Sequence, residues 1–176
     1  MKIGRICILA FTSLIALSCK KEAQNTDYHW VTRKNTINQI AKIERQEKGD
    51  TTILSYFASS DTLNYFTVNS NLLFIDGSYQ DGVLHQLVDT TIIISDKEYR
   101  VAKYIQNEEV IDGGVVHYYT PQFGVFAIHS NTWSGLQYLQ STDSTKNKLI
   151  KRLIKATVPE FYVRGELKSE LEKLIN

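Results

Sequence analysis

Thr91-Ile92-Ile93-Ile94-Ser95-Asp96-Lys97-Glu98-Tyr99-Arg100-Val101-Ala102-Lys103-Tyr104-Ile105 is the stretch that decides the fold. Two runs rich in β-branched and aromatic residues, Thr91–Ser95 and Glu98–Ile105, flank Asp96-Lys97. That is the pattern of two strands joined by a tight turn. Side chains alternate along a strand, so Tyr99, Val101 and Lys103 share one face and Arg100, Ala102 and Tyr104 the other.

The same reading extends in both directions. Thr51–Ala58, Leu63–Val68 and Leu72–Ile75 read as strands, Leu84–Val88 as a weaker one, with Asp76-Gly77 and Asp81-Gly82 as turn signals. Val115–Thr120 and Val125–Ser130 form a second hairpin around Pro121-Gln122-Phe123-Gly124. Proline has no N–H to give a ladder, and glycine tolerates unusual dihedrals. Asn35–Lys48 carries helical spacing at Ile37, Ile40, Ala41 and Glu44, yet Lys48-Gly49-Asp50 leads straight into a strand. The balance favours strand.

The C-terminal part reads as helix. Asp143 or Ser144 can cap it, Leu149, Ile150, Leu153 and Ile154 fall on one face, and Lys148, Lys151, Arg152 and Lys155 on the opposite one. Pro159 ends this helix, and Gly165 precedes a last one bearing Leu167, Leu171, Leu174 and Ile175. The expected fold is α+β: an antiparallel β meander or curved sheet with C-terminal α-helices packed on one face.

Composition sets limits. Of 176 residues, 43% are hydrophobic and 22% charged, which suits one globular domain, 28–176, rather than a disordered chain. The net charge of +1 offers nothing to nucleic acid.

The N-terminus carries an address. Lys2 and Arg5 precede the 12-residue apolar run Ile6–Leu17, interrupted by Thr12 and Ser13 and too short to span a bilayer. It ends in Ile15-Ala16-Leu17-Ser18-Cys19. This stretch resembles the lipobox of bacterial lipoproteins, with Ala16 where the usual Leu stands and Leu17 one position late. The resemblance implies a signal peptide over 1–18, acylation of Cys19, and a flexible tether over 19–27. Lys20 rather than Asp after the cysteine implies, by the same resemblance, the outer membrane of a Gram-negative cell envelope. Cys7 leaves with the signal, so the folded part holds no thiol and no disulfide.

Candidate functional residues are few. Lys146–Lys155 holds five basic residues and no acid, a face for anionic headgroups or an acidic partner, or simply a solvated helix surface. Tyr118, Phe123 and Trp133 belong to an aromatic cluster that could line a ligand groove or pack a core. His117 and His129, with His85, could share a metal if strand parity put both on one face; polar sheet residues are the plainer reading. Four Asp-hydroxyl pairs, at Asp50, Asp61, Asp89 and Asp143, resemble the O-glycosylation acceptor of some Gram-negative bacteria, although Asp-Thr also favours turns and Asp-Ser caps. No Gly-x-Ser-x-Gly elbow, cysteine nucleophile or phosphate loop occurs, and nothing calls for a cofactor.

Three readings of function stay open. The first is a non-catalytic envelope lipoprotein that binds a protein partner or supports a complex. The second is a carrier of lipid or another apolar ligand, since a sheet curved over helices resembles the LolA and LolB class of half-barrels in architecture and location. The third is an envelope enzyme.

Overall fold

The computed structural model describes residues 21–24, 28–31, 36–38, 40–58, 62–77, 82–107, 109, 114–130 and 136–157. Its strands are β1 (Lys21–Gln24), β2 (Tyr28–Val31), β3 (Thr36–Asn38), β4 (Ile40–Lys48), β5 (Thr51–Ala58), β6 (Thr62–Val68) and β7 (Asn71–Asp76). They continue as β8 (Gly82–Val83), β9 (His85–Ile94), β10 (Lys97–Gln106), β11 (Val115–Thr120), β12 (Gly124–Ser130) and β13 (Leu136–Ser141), followed by helix α1 (Ser144–Thr157).

The expected meander is present, but as two antiparallel sheets rather than one. β4 to β8 pair in chain order, with β1 added beside β4. β9 to β13 also pair in chain order, with β2 and then β3 added beside β13. The chain changes sheet at Leu84, whose side chain is buried and whose N–H donates to the Leu73 carbonyl at 2.8 Å. Ambiguous Asn35–Lys48 contributes the strand β4. Part of the expected tether is also strand, since Lys21–Gln24 pairs with Ile43–Gln46. An edge strand needs only its neighbour's backbone, so a polar sequence can form one.

Turn chemistry fixes the hairpins. Ser95 and Asp96 take φ of 51° and 61°, and Asn69 and Ser70 take 49° and 63°. Two successive positive-φ residues match the twist of the flanking strands. The expected turn at Asp96-Lys97 therefore sits one residue earlier.

The six-stranded sheet has the mixed burial of a one-faced sheet, with Tyr65 and Leu72 enclosed and Leu73 and Phe74 exposed. The middle of the seven-stranded sheet, β10 to β12, is buried on both faces. Every residue of β10 from Val101 to Gln106 is buried, as are Val116–Thr120 and Gly124–His129. Register sends Tyr104 and His117 toward the first sheet and Lys103, Tyr118 and Tyr138 away from it. β9 is an edge strand and stays largely exposed.

Helix α1 starts where the sequence places it. The Asp143 carboxylate accepts the N–H groups of Thr145 (2.8 Å) and Lys146 (3.1 Å), so Asp143 rather than Ser144 is the cap. Ile150, Leu153, Ile154 and Thr157 are buried, and Arg152 Nη1 donates to Ser95 Oγ at 2.7 Å. Pro159 and the last expected helix lie outside the described residues. No helix among the described residues is long and apolar enough to cross a membrane.

Candidate functional site

The space between the sheets is filled by a polar aromatic cluster. Tyr56 on β5 and Tyr65 on β6 meet edge to face, with centroids 5.4 Å apart at 77°. Tyr65 meets the His117 ring of β11 at 5.7 Å and 69°, and its hydroxyl lies 3.1 Å from His117 Nδ1. The Tyr56 hydroxyl reaches the other sheet, accepting the Val125 N–H at 2.7 Å and facing the Val125 carbonyl at 3.2 Å. Such ring pairs contribute about 1 kcal/mol each beyond their buried area.

Strand β12 can approach this closely because of Gly124. Its φ is +76°, and a Cβ there would lie 2.3 Å from the Tyr56 hydroxyl. The sequence marks Gly124 as a turn residue but gives no sign that a tyrosine from another sheet sits over it. Replacing Tyr56 with phenylalanine strips Val125 N–H and C=O of their partner in a dry interior. The expected loss is about 2 kcal/mol of unfolding free energy, measured by urea titration. A change within error would mean that Val125 finds other partners.

Burial drives the ionisable groups of this core toward their neutral forms. His117 is pushed down to about 3 by desolvation. Its Nε2 has no hydrogen-bond partner among the described residues. Burial raises Tyr65, with Tyr56 adding to the effect, and raises Tyr119; it also raises Tyr138, which lies on the opposite face of the second sheet. On the other face of the second sheet, burial lowers Lys103. It lowers His129 too, helped by the Lys103 charge. An imidazole lowered as far as that of His117 stays neutral near neutral pH.

Two further contacts join the sheets near one end. Arg45 Nη2 donates to the Pro121 carbonyl at 2.9 Å. Arg100 grips Asp89 through Nε at 2.9 and 3.0 Å and through Nη2, and also reaches Asn71 Oδ1 at 2.6 Å and the Ser70 carbonyl at 3.3 Å. Between Arg45 and the Pro121 turn lies a cleft lined by Ile43, Leu54, Gln122, Phe123 and Gly124. Its enclosed part holds about one water molecule.

The residues singled out by sequence fall in separate places. Tyr118 is fully buried and packs on Phe126 at 6.3 Å, on the face turned away from the first sheet. Phe123 is half-buried and lines the small cleft instead. Trp133 lies outside the described residues, as does Cys19. His117 pairs with Ile128 and His129 with Val116, an odd offset that sends the two imidazoles to opposite faces. A metal shared between them is thereby removed. His85 is exposed, and no cluster of three metal-ligating side chains occurs among the described residues.

Lys148, Arg152 and Lys155 are exposed and Lys151 half-exposed. Three of the Asp-hydroxyl pairs have local roles: Asp143 caps α1, Asp89 holds Arg100, and Asp50 accepts from the Thr51 hydroxyl at 3.4 Å. Asp61 lies outside the described residues. No protein-family model, no curated protein and no solved structure matches this chain.

Proposed function

We propose that this chain is a lipoprotein of the Gram-negative outer membrane, anchored by acyl chains on Cys19. Its folded part is a non-catalytic module that binds a partner or supports a complex. In this reading α1 packs across the strands at the end of the seven-stranded sheet where β13 finishes, leaving its basic row facing away from its buried side chains.

The observation that carries the reading is the apolar run Ile6–Leu17 ending at Ser18-Cys19, with β1 beginning two residues later. Each buried CH₂ contributes about 0.8 kcal/mol, so more than one acyl chain makes release negligible. The interior supports the non-catalytic part, because its imidazole and phenols are held neutral by burial. It also weighs against a lipid carrier, since the rings of Tyr56, Tyr65 and Tyr104 occupy the space between the sheets.

Replacing Cys19 with serine removes the acceptor sulfur. The protein should then leave the membrane fraction or keep its signal segment. A serine variant that is trimmed normally and still sediments with membranes after a high-salt wash, which screens any contact of basic side chains with headgroups, would end the proposal.

A further inference from the structure

The two sheets have a common end. Antiparallel pairing puts the β4–β5 turn at one end of the first sheet and the β11–β12 turn at one end of the second. Arg45, three residues before Lys48, bonds Pro121 in the latter turn, so these two ends coincide. Arg100 bonding Ser70 brings the β6–β7 turn to the same region. β10 runs antiparallel to β11, so the β9–β10 turn at Ser95-Asp96 also belongs there. β13 runs antiparallel to β12 and finishes there too.

Helix α1 therefore begins at this end, beside β13. Through Arg152 it reaches Ser95 in the β9–β10 turn. Its 14 residues span about 21 Å. The distance across five strands from β13 to β9 is about 19 Å. The helix thus runs along this end, across the strands.

The chain also enters here. Lys21 pairs with Gln46, two residues short of Lys48 and the β4–β5 turn. Only Lys20 separates Cys19 from β1, so the two lie at most about 7 Å apart along the chain. Lys148, Lys151, Arg152 and Lys155 form one row on α1, about 200° around the axis from Ile150, Leu153, Ile154 and Thr157. The helix contains no acidic residue.

From this juxtaposition we propose that α1 is the membrane-proximal element, and that its basic row engages the phosphates of anionic phospholipid headgroups. The proposal rests on the lipoprotein reading for the anchor alone. Lipid at Cys19 restricts which end can approach the bilayer, and the basic row supplies the charge complementarity.

The test removes the anchor, so that the two ideas fail separately. The whole chain from residue 19, made with Cys19→Ser, is sedimented at low salt with vesicles of phosphatidylcholine alone or mixed equally with phosphatidylglycerol. Binding to the anionic vesicles is expected to be at least about tenfold tighter, and to fall to the level of the neutral ones in Lys148→Ser/Lys151→Ser/Arg152→Ser/Lys155→Ser. Urea titration of that variant, altered on the solvated face, checks that it folds, and a reduced set without Arg152→Ser spares the Ser95 bond. Equal affinity for both vesicle types overturns the proposal, as does full binding by the folded variant. A basic row that serves an acidic protein instead would give the first of these results. Retention of the trimmed Cys19→Ser protein on salt-washed membranes in the cell experiment would overturn the anchor and leave this vesicle result standing.

Discussion

Gly124→Ala is expected to cost about 3 kcal/mol of unfolding stability. Two effects combine. Alanine in the left-handed region costs about 1 kcal/mol relative to glycine. The new Cβ would also collide with the Tyr56 hydroxyl, which must move and so lose both bonds to Val125, at about 1–3 kcal/mol. Gly49 offers the matched control, with φ of +64° and open space around its missing side chain. Gly49→Ala should therefore cost only the backbone part. In a Tyr56→Phe background the collision with the hydroxyl disappears and only the 3.2 Å approach to Leu54 Cδ1 remains, so Gly124→Ala should fall close to the Gly49 value. Urea titration of the four variants completes the cycle. Equal costs at Gly124 and Gly49 in the parent protein would show that the Tyr56 contact contributes nothing.

Acid should weaken the fold through His117. Its folded pKa is lowered to about 3, against about 6.5 in an unfolded chain. Between those values the unfolded state holds the extra proton, so stability falls as pH falls. The contribution is complete above pH 6.5 and declines by up to about 1.4 kcal/mol per pH unit on the way down to 3. From pH 7.5 to pH 5 the expected loss is about 2 kcal/mol from this group alone. His129, also lowered, acts in the same direction. Tyr65, whose hydroxyl meets the imidazole and whose pKa is raised by burial, stays protonated across this range and does not offset its charge. The midpoint of urea unfolding, followed across pH, measures the effect. His117→Gln should flatten the slope while leaving the rest of the acid response intact. Identical slopes for parent and variant would remove His117 from the account.

Most strands were legible because their signals are local. β-branched runs bounded by turn residues located β5, β6, β7, β10, β11 and β12 to within two residues at each end. Asp143 announced α1 because a cap is a short-range device. The partition into two sheets was not legible, because meandering strands carry the same alternation whether they close one sheet or two. The second sheet obscured it further: Val101–Gln106 is buried on both faces, so polar Lys103 and Gln106 sit where alternation would read solvent. β1 lacks the apolar pattern that marks a strand, and β2 takes its pairing from β13, far along the chain.

The candidate site was less legible still. The partnership of Tyr56, Tyr65, His117 and Gly124 joins residues 52 to 69 positions apart, and no local spacing encodes it. The basic face of α1 was legible, since it depends only on helical periodicity. Its position at the end where the chain enters was not, since it follows from strand directions and from the Arg45–Pro121 and Arg152–Ser95 contacts.

The order in which the strands pair has a kinetic consequence. Nearly every pairing joins neighbours in the chain, so each hairpin can form with a small loss of chain entropy. β1 with β4 skips two strands, and the union of β2 with β13 reaches much farther, because Tyr28 pairs with Ser141 across more than a hundred residues. That loop is the costliest to close, and closing it is favourable once β9 to β12 give β13 a formed edge on which to settle. The chain would thus assemble its hairpins first and fasten β2 to β13 last.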